Sequence, residues 1–203
     1  MTGSVSAPAT LRLRDLDPRV RRIFLGFGFS ALGSGLTMPF LFVYLAEVRG
    51  FPTPTVGLIF AFMGLVGLCL SPIGGSLIDK FGPRPVMISG LVVEASSVVA
   101  IGYVEQVWQG FALATVMVAG TIGLWPASTA MLTRLVPIEA REQVYGVNFM
   151  LLNAGLGVGG LISALIVDVT SVESFQLLYL IDGLSYLVYL AVLMLLRFSQ
   201  GGR

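Results

Sequence analysis

Gly75-Ser76-Leu77-Ile78-Asp79-Lys80-Phe81-Gly82-Pro83-Arg84-Pro85 is the stretch on which the reading of this chain turns. It sets an acid and two bases, Asp79, Lys80 and Arg84, between two apolar runs, Val56–Ile78 and Pro85–Val104. Gly75 permits a close helix contact. Asp79 falls at a helix end, where Lys80 and Arg84 can neutralise it. Gly82 allows the turn, while Pro83 and Pro85 stiffen it and help to start the next helix. Each flanking run approaches or exceeds the roughly 20 residues with which a helix crosses about 30 Å of hydrocarbon. The segment therefore reads as a short polar turn joining two membrane spans.

Four more apolar blocks continue the pattern, Ile23–Ala46, Trp108–Thr133, Val144–Val167 and Phe175–Leu196. Charged residues make up 11% of the chain and hydrophobic ones 56%, and mean hydropathy is +0.91. A soluble domain carries about 25% charged residues, so this chain is too poor in charge to cover a water-facing surface. The fold class expected is an all-α membrane protein of six transmembrane helices in a bundle over residues 22–197, with a basic tail at 1–21 and a short end at 198–203. Met1 to Asp17 reads as a polar tail, and Asp17-Pro18 as a helix start with Asp as N-cap and Pro at the first helical position. The first apolar block is too long for a cleaved signal peptide. Connecting loops are short, so neighbouring helices pack antiparallel.

The basic residues set the orientation. Arg12, Arg14, Arg19, Arg21, Arg22, Lys80, Arg84, Arg134, Arg141, Arg197 and Arg203 fall on one side of a six-span topology, and only Arg49 on the other. That asymmetry predicts a multi-pass protein of the cell (plasma) membrane with both termini cytoplasmic. Tyr44, Tyr103, Trp108 and Tyr145 stand near block ends, as interfacial anchors do. The 25 glycines lie mostly within the spans, where small residues let helix backbones approach. Gly64, Gly67 and Gly74 mark the second span, and Gly155 and Gly159 form a small-xxx-small pair in the fifth.

The turn at 75–85 resembles the signature loop of the major facilitator superfamily: glycine, three residues, aspartate, a basic residue, any residue, glycine, then basic positions. It lies where that family has it, between spans two and three. The resemblance implies a conformational-switch role for Gly75, Asp79, Lys80, Gly82 and Arg84, clamping one half of a transporter to the other. Pro83 departs from the pattern, standing where the family usually has a base. The bland reading is a basic turn that only fixes topology.

Further likenesses follow. Pro39, within Gly35-Leu36-Thr37-Met38-Pro39, resembles the first span of drug-exporting members. Leu124-Trp125-Pro126-Ala127-Ser128 and Leu135-Val136-Pro137 resemble the fourth span and its exit. Gly146, Gly155 and Gly159 are spaced as in the antiporter glycine motif, but Gly160 stands at its proline position and Ser163 and Ala164 replace its later glycines. Proton-coupled members often carry an arginine in the fourth span, four residues before a glycine; counting back from Gly120 gives Val116, so coupling through that arginine is not supported. The family's fold is two six-helix bundles, each a pair of inverted three-helix repeats. The resemblance covers one such bundle. A fragment, a truncated reading frame and a half-unit that pairs with another chain all fit this.

Two acids lie inside apolar blocks. A carboxylate at mid-bilayer costs roughly 2.5–3.5 kcal/mol on insertion scales, so it usually faces protein or water and often marks an ion path. Glu94 and Asp182 are accordingly candidates for proton coupling; the alternative is a neutral, hydrogen-bonded acid used in packing. From the first and fourth spans, which line the family's cavity, Ser34, Thr37, Phe40, Trp125 and Ser128 are candidate substrate contacts. Asn148 and Asn153 of the fifth span join them, since asparagines in lipid need partners; helix–helix hydrogen bonding is their bland reading. No base lies within these spans, which disfavours a highly anionic substrate.

The function expected is a transmembrane secondary transporter, or its N-terminal half, exporting apolar or cationic compounds in exchange for protons. The partners expected are the lipid bilayer, a small-molecule substrate and a second six-helix half. A metabolite symporter or uniporter is the alternative within transport, and a non-transporting half-size membrane partner the alternative outside it. A net charge of +1 suggests no nucleic acid. With no histidine and Cys69 alone, no metal site, cofactor or internal disulfide is expected. No nucleophile–base pair or phosphate loop suggests an enzyme; Gly155-x-Gly157-x-Gly159-Gly160 lies mid-span with no strand before it.

Overall fold

A computed structural model describes residues 16–196. The terminal residues 1–15 and 197–203 expected as tails, with Arg12, Arg14, Arg197 and Arg203, lie outside the described residues. Among the described residues there are six helices long and apolar enough to span a membrane and no strand. They are α1 (Pro18–Val48), α2 (Thr53–Phe81), α3 (Pro83–Ile101), α4 (Val107–Leu135), α5 (Ile138–Ile166) and α6 (Val172–Leu195). All six expected spans are present, and most run further than the apolar blocks. The extra turns are polar: α5 starts through Glu139, Arg141 and Glu142. At 29 residues each, α2, α4 and α5 are ~43 Å long, so their ends pass beyond the hydrocarbon.

The helix starts obey local chemistry. Asp17 caps α1, its Oδ1 accepting from Arg19 N at 2.7 Å, with Pro18 in the first turn. Ser171 caps α6 by accepting from Ser174 N. Between α2 and α3, Gly82 takes φ +83°, ψ 162°, a conformation that L side chains rarely adopt. Pro39 has no N–H to donate, and α1 loses regular geometry there: a 3-10 turn at Met38–Phe40 and a π turn at Tyr44–Val48 follow the α segment Pro18–Thr37.

Packing has an internal symmetry. α1 packs mainly on α5 and α6, α4 on α2 and α3, and α3 meets α6. Exchanging α1 with α4, α2 with α5 and α3 with α6 returns the same set of contacts, as two inverted three-helix repeats require. Glycines set the tightest crossing. A Cβ on Gly35 of α1 would lie 2.7 Å from the carbonyl oxygens of Gly155 and Leu156, and one on Gly159 would meet the Gly35 backbone at 2.8 Å. Gly74 of α2 sits likewise against the carbonyl of Ile122.

Two apolar cores lie toward the two ends. Near the end that holds the termini, Val20, Ile23, Met87, Leu132, Val144 and Leu193 are buried together. At the opposite end Tyr44, Leu45, Val56, Ile59 and Phe175 do the same. There Arg49 Nη2 donates to the Gly102 carbonyl at 2.7 Å and its Nε to Tyr44 Oη at 2.7 Å, while Tyr44 Oη donates to the same carbonyl at 2.5 Å. This network fastens the α1–α2 turn to the end of α3. Ser34, Thr37, Glu94 and Asp182 lie between the two cores.

Candidate functional site

A cavity of about 580 Å³ lies among α1, α2, α3, α4 and α6. Its walls are largely apolar, with Leu41, Met63, Val98 and Met117 among them. Met38, Phe60 and Thr121 on its border are exposed, so it opens to the surface of the bundle. Both intramembrane acids line it.

Each acid is held by a threonine from another helix. Asp182 of α6 accepts from Thr37 Oγ1 of α1 at 2.5 Å, and Ser185 Oγ lies 3.4 Å from its Oδ1. Glu94 of α3 accepts a short hydrogen bond from Thr121 of α4. The two pairs are counterparts under the exchange that relates the repeats, since α1 maps to α4 and α6 to α3. Small residues bring the backbones close enough: a Cβ on Gly120 would lie 3.1 Å from Glu94 Cγ, and Gly33 lies against Ser185 and Asp182. Both acids are almost wholly buried, Glu94 at 3% exposure and Asp182 at 1%. Among the described residues no Lys or Arg lines the cavity, and there each carboxyl meets hydroxyls and apolar surface rather than a counter-charge.

A second cavity of about 150 Å³ lies nearer the termini, among Phe27, Ser30, Leu91, Trp125, Ser128 and Tyr189. Ser34, Thr121 and Tyr186 border both cavities, and Ser34 and Tyr186 share a hydrogen bond of 2.9 Å.

The sequence candidates divide. Ser34 and Thr37 line the large cavity, and Trp125 and Ser128 the small one. Phe40 lines neither and packs against the core opposite the termini: Leu41 is the residue in phase with Ser34 and Thr37, and adjacent helix residues point ~100° apart. Asn148 is buried away from both cavities, and exposed Asn153 donates to the Phe149 carbonyl of its own helix at 2.8 Å. Thr121, Tyr179 and Tyr186 escaped the sequence reading. Their signal was spacing: Tyr179, Asp182, Tyr186 and Tyr189 recur along one face of α6, and Thr121 follows the contact glycine Gly120.

The turn at 75–85 also differs from its sequence reading. Gly75 is exposed, and a Cβ there would meet nothing within 4 Å; Gly74 makes the close contact instead. Asp79 is exposed and has no ion-pair partner among the described residues. Lys80 Nζ lies 5.2 Å from the centre of the Phe81 ring, and Arg84 Nη2 reaches the Met194 carbonyl at 3.4 Å. Its bases thus hold neighbouring groups and leave the aspartate open. Of the glycine series, Gly155 and Gly159 pack against α1, Gly160 is in ordinary contact with Gly35, and Gly146 meets nothing. Among the described residues no group of acids and cysteine could hold a metal ion.

Comparison with known proteins places residues 23–201 within the family model described as Major Facilitator Superfamily. An uncharacterized MFS-type transporter, YqjV of Bacillus subtilis (strain 168), is 25% identical over 146 residues, 72% of this chain and 36% of that protein. A Na(+), Li(+), K(+)/H(+) antiporter of Planococcus maritimus is 24% identical over 161 residues, 77% of this chain and 38% of that protein. The quinolone resistance protein NorA of Staphylococcus aureus is 31% identical over 144 residues, 68% and 35% of the respective chains. The chain thus aligns with little more than a third of the length of these relatives.

Proposed function

Because this chain belongs to the major facilitator superfamily, as a multi-pass membrane half-domain and not an enzyme, we propose that it forms the N-terminal half of a secondary transporter that exports apolar or cationic compounds in exchange for protons. One observation carries the reading: a cavity of about 580 Å³ with apolar and aromatic walls, two buried carboxyls and no base. Volumes of about 300–1,000 Å³ suit drug-sized ligands, with a few polar groups fixing orientation. A lipophilic cation gains apolar contact there, a carboxylate counter-charge, and the ring faces of Phe60, Tyr179 and Tyr186. Protonation of Glu94 or Asp182 removes that counter-charge, so a proton and a cation compete for the same group. The names of two relatives, a quinolone resistance protein and a cation/H(+) antiporter, agree with this chemistry.

In the proposed arrangement both termini lie in the cytoplasm of a cell with this chain in its plasma membrane, supported by the bias of basic residues toward the termini side. A second six-helix half covers the large cavity and the exposed faces of α2 and α5, and the open Asp79 carboxylate, with Gly75, Lys80, Gly82 and Arg84, forms the switch contact to it. The test is ethidium movement in proteoliposomes containing the chain assembled with a second six-helix half, with and without a pH gradient. Gradient-driven movement that falls in Glu94→Gln and Asp182→Asn is the result expected. Movement that ignores both the gradient and the substitutions refutes proton-coupled cation export.

A further inference from the structure

The proposed cation site is the larger cavity; the smaller one, which Trp125 and Ser128 line, has hydroxyls in its wall but neither of the two acids. Six hydroxyl-bearing residues border its 150 Å³: Ser30, Ser34, Thr121, Ser128, Tyr186 and Tyr189. Ser128 and Tyr189 are 4% and 3% exposed; their hydroxyls face each other, but neither completes a hydrogen bond of good geometry. Buried hydroxyls without partners are costly, and ordered water is their usual remedy. At ~30 Å³ per molecule the cavity has room for roughly five waters. A wholly apolar void of this size would stay dry; this one sets hydroxyls from α1, α4 and α6 into a largely apolar wall.

Its position gives the water a use. Tyr189 lies six residues before the end of α6 at Leu195, and Ser128 seven before the end of α4 at Leu135, both at the termini end of the bundle. The side chains shared with the large cavity lead to the acids. Thr121 donates to Glu94, and Tyr186, bonded to Ser34 at 2.9 Å, stands one helical turn from Asp182 on the same face of α6.

We propose that the smaller cavity holds a short chain of water that carries protons between the termini side of the bundle and the Glu94–Asp182 cavity. Each water or hydroxyl accepts a proton on its oxygen as it releases its own to the next, so the chain is unchanged and one proton reaches a carboxylate. The titratable groups along the route are Glu94 from α3 and Tyr179, Asp182, Tyr186 and Tyr189 from α6; the lining residues of α1, α2, α4 and α5 add none. The proposal rests on the proton-coupling reading above and adds its path.

Two measurements on the full chain test it. The first is X-ray radiolytic footprinting, which oxidises side chains beside bound water even when they are buried. Met87 and Tyr189 line the cavity at 1% and 3% exposure, whereas Met131 is equally buried at 3% in the termini-end core and away from the cavity. Faster oxidation of Met87 and Tyr189 than of Met131 supports a wet cavity; equal rates overturn it, whatever the protein transports. The second is infrared spectroscopy of the carboxyl C=O bands in oriented proteoliposomes, assigned with Glu94→Gln and Asp182→Asn. After a pH jump on the termini side, the Ser128→Ala/Tyr189→Phe variant should protonate more slowly by about tenfold, the effect of one good hydrogen bond lost along the path. Leu152→Phe, which narrows the cavity without removing a hydroxyl, should slow it as well. Carboxyl bands that titrate at an unchanged rate in both variants overturn the relay and leave proton coupling standing. Absence of any titrating carboxyl band removes both.

Discussion

Replacing Gly35 by alanine tests the packing that holds the cavity walls together. The added methyl would lie 2.7 Å from two carbonyl oxygens, of Gly155 and Leu156, and 2.9 Å from Leu156 Cα. All three are backbone atoms and cannot rotate away. Ordinary carbon contacts lie near 3.5–4.0 Å, so α1 and α5 must separate by ~1 Å along most of their crossing. Overpacking of this kind costs about 1–3 kcal/mol. Gly146→Ala is the control, because nothing lies within 4 Å of that position on the same α5; there the methyl favours the helix by up to about 1 kcal/mol. Unfolding in mixed detergent and SDS micelles, followed by tryptophan fluorescence, reports both. Trp125 is well placed, edge-on to Phe27 of α1 with ring centres 6.1 Å apart. Gly35→Ala should unfold at a clearly lower SDS fraction and Gly146→Ala at the same or a higher one. A Gly35→Ala protein as stable as the parent would refute the close α1–α5 crossing.

Thr37→Val and Asp182→Asn should each destabilise the bundle, with a coupling energy of about 0.6–1.7 kcal/mol in a double-mutant cycle read by the same assay, the range for hydrogen bonds between membrane helices; strict additivity would contradict the bond. Arg49→Leu should loosen the end opposite the termini, leaving the Gly102 carbonyl one donor fewer, and hydrogen exchange of Gly50 and Phe51 should quicken. Gly82→Ala should cost about 1–3 kcal/mol at φ +83°, whereas Gly75→Ala, as open as Gly146 and inside α2, should be neutral or stabilise by up to about 1 kcal/mol. In the turn before α6, the Thr170 hydroxyl and then its N–H hold the Asp168 carboxyl below its ordinary value. Any stability this gives is present above the ordinary carboxylate range and lost as pH falls through the lowered value; Thr170→Val should move the Asp168 titration upward by NMR.

The spans were legible because lipid demands long apolar runs, and the acids because a charge inside such a run is conspicuous. Asp17 and Pro18 gave the first helix start from capping chemistry alone. What the sequence hid was helical phase. Phe40 lies only three residues beyond Thr37, but it is Leu41 that keeps phase with Ser34 and Thr37 at the cavity, and Phe40 turns to the core. Asn153 is as polar as Thr121, yet it answers its own backbone while Thr121 meets Glu94. Gly74 and Gly75 are adjacent and chemically identical, and only the neighbouring helix tells which one is pressed against a carbonyl. The threonine partners of the acids come from helices remote in sequence, 145 residues away for Asp182 and 27 for Glu94, so no local pattern announces them.

Whether the two carboxyls make the cavity a cation site is decided by equilibrium binding of tetraphenylphosphonium to the purified chain, across pH and in a Glu94→Gln/Asp182→Asn variant. Binding should weaken on acidification and be lost in the double variant. Undiminished binding in that variant, or binding indifferent to pH, would mean that neither carboxyl serves as the counter-charge.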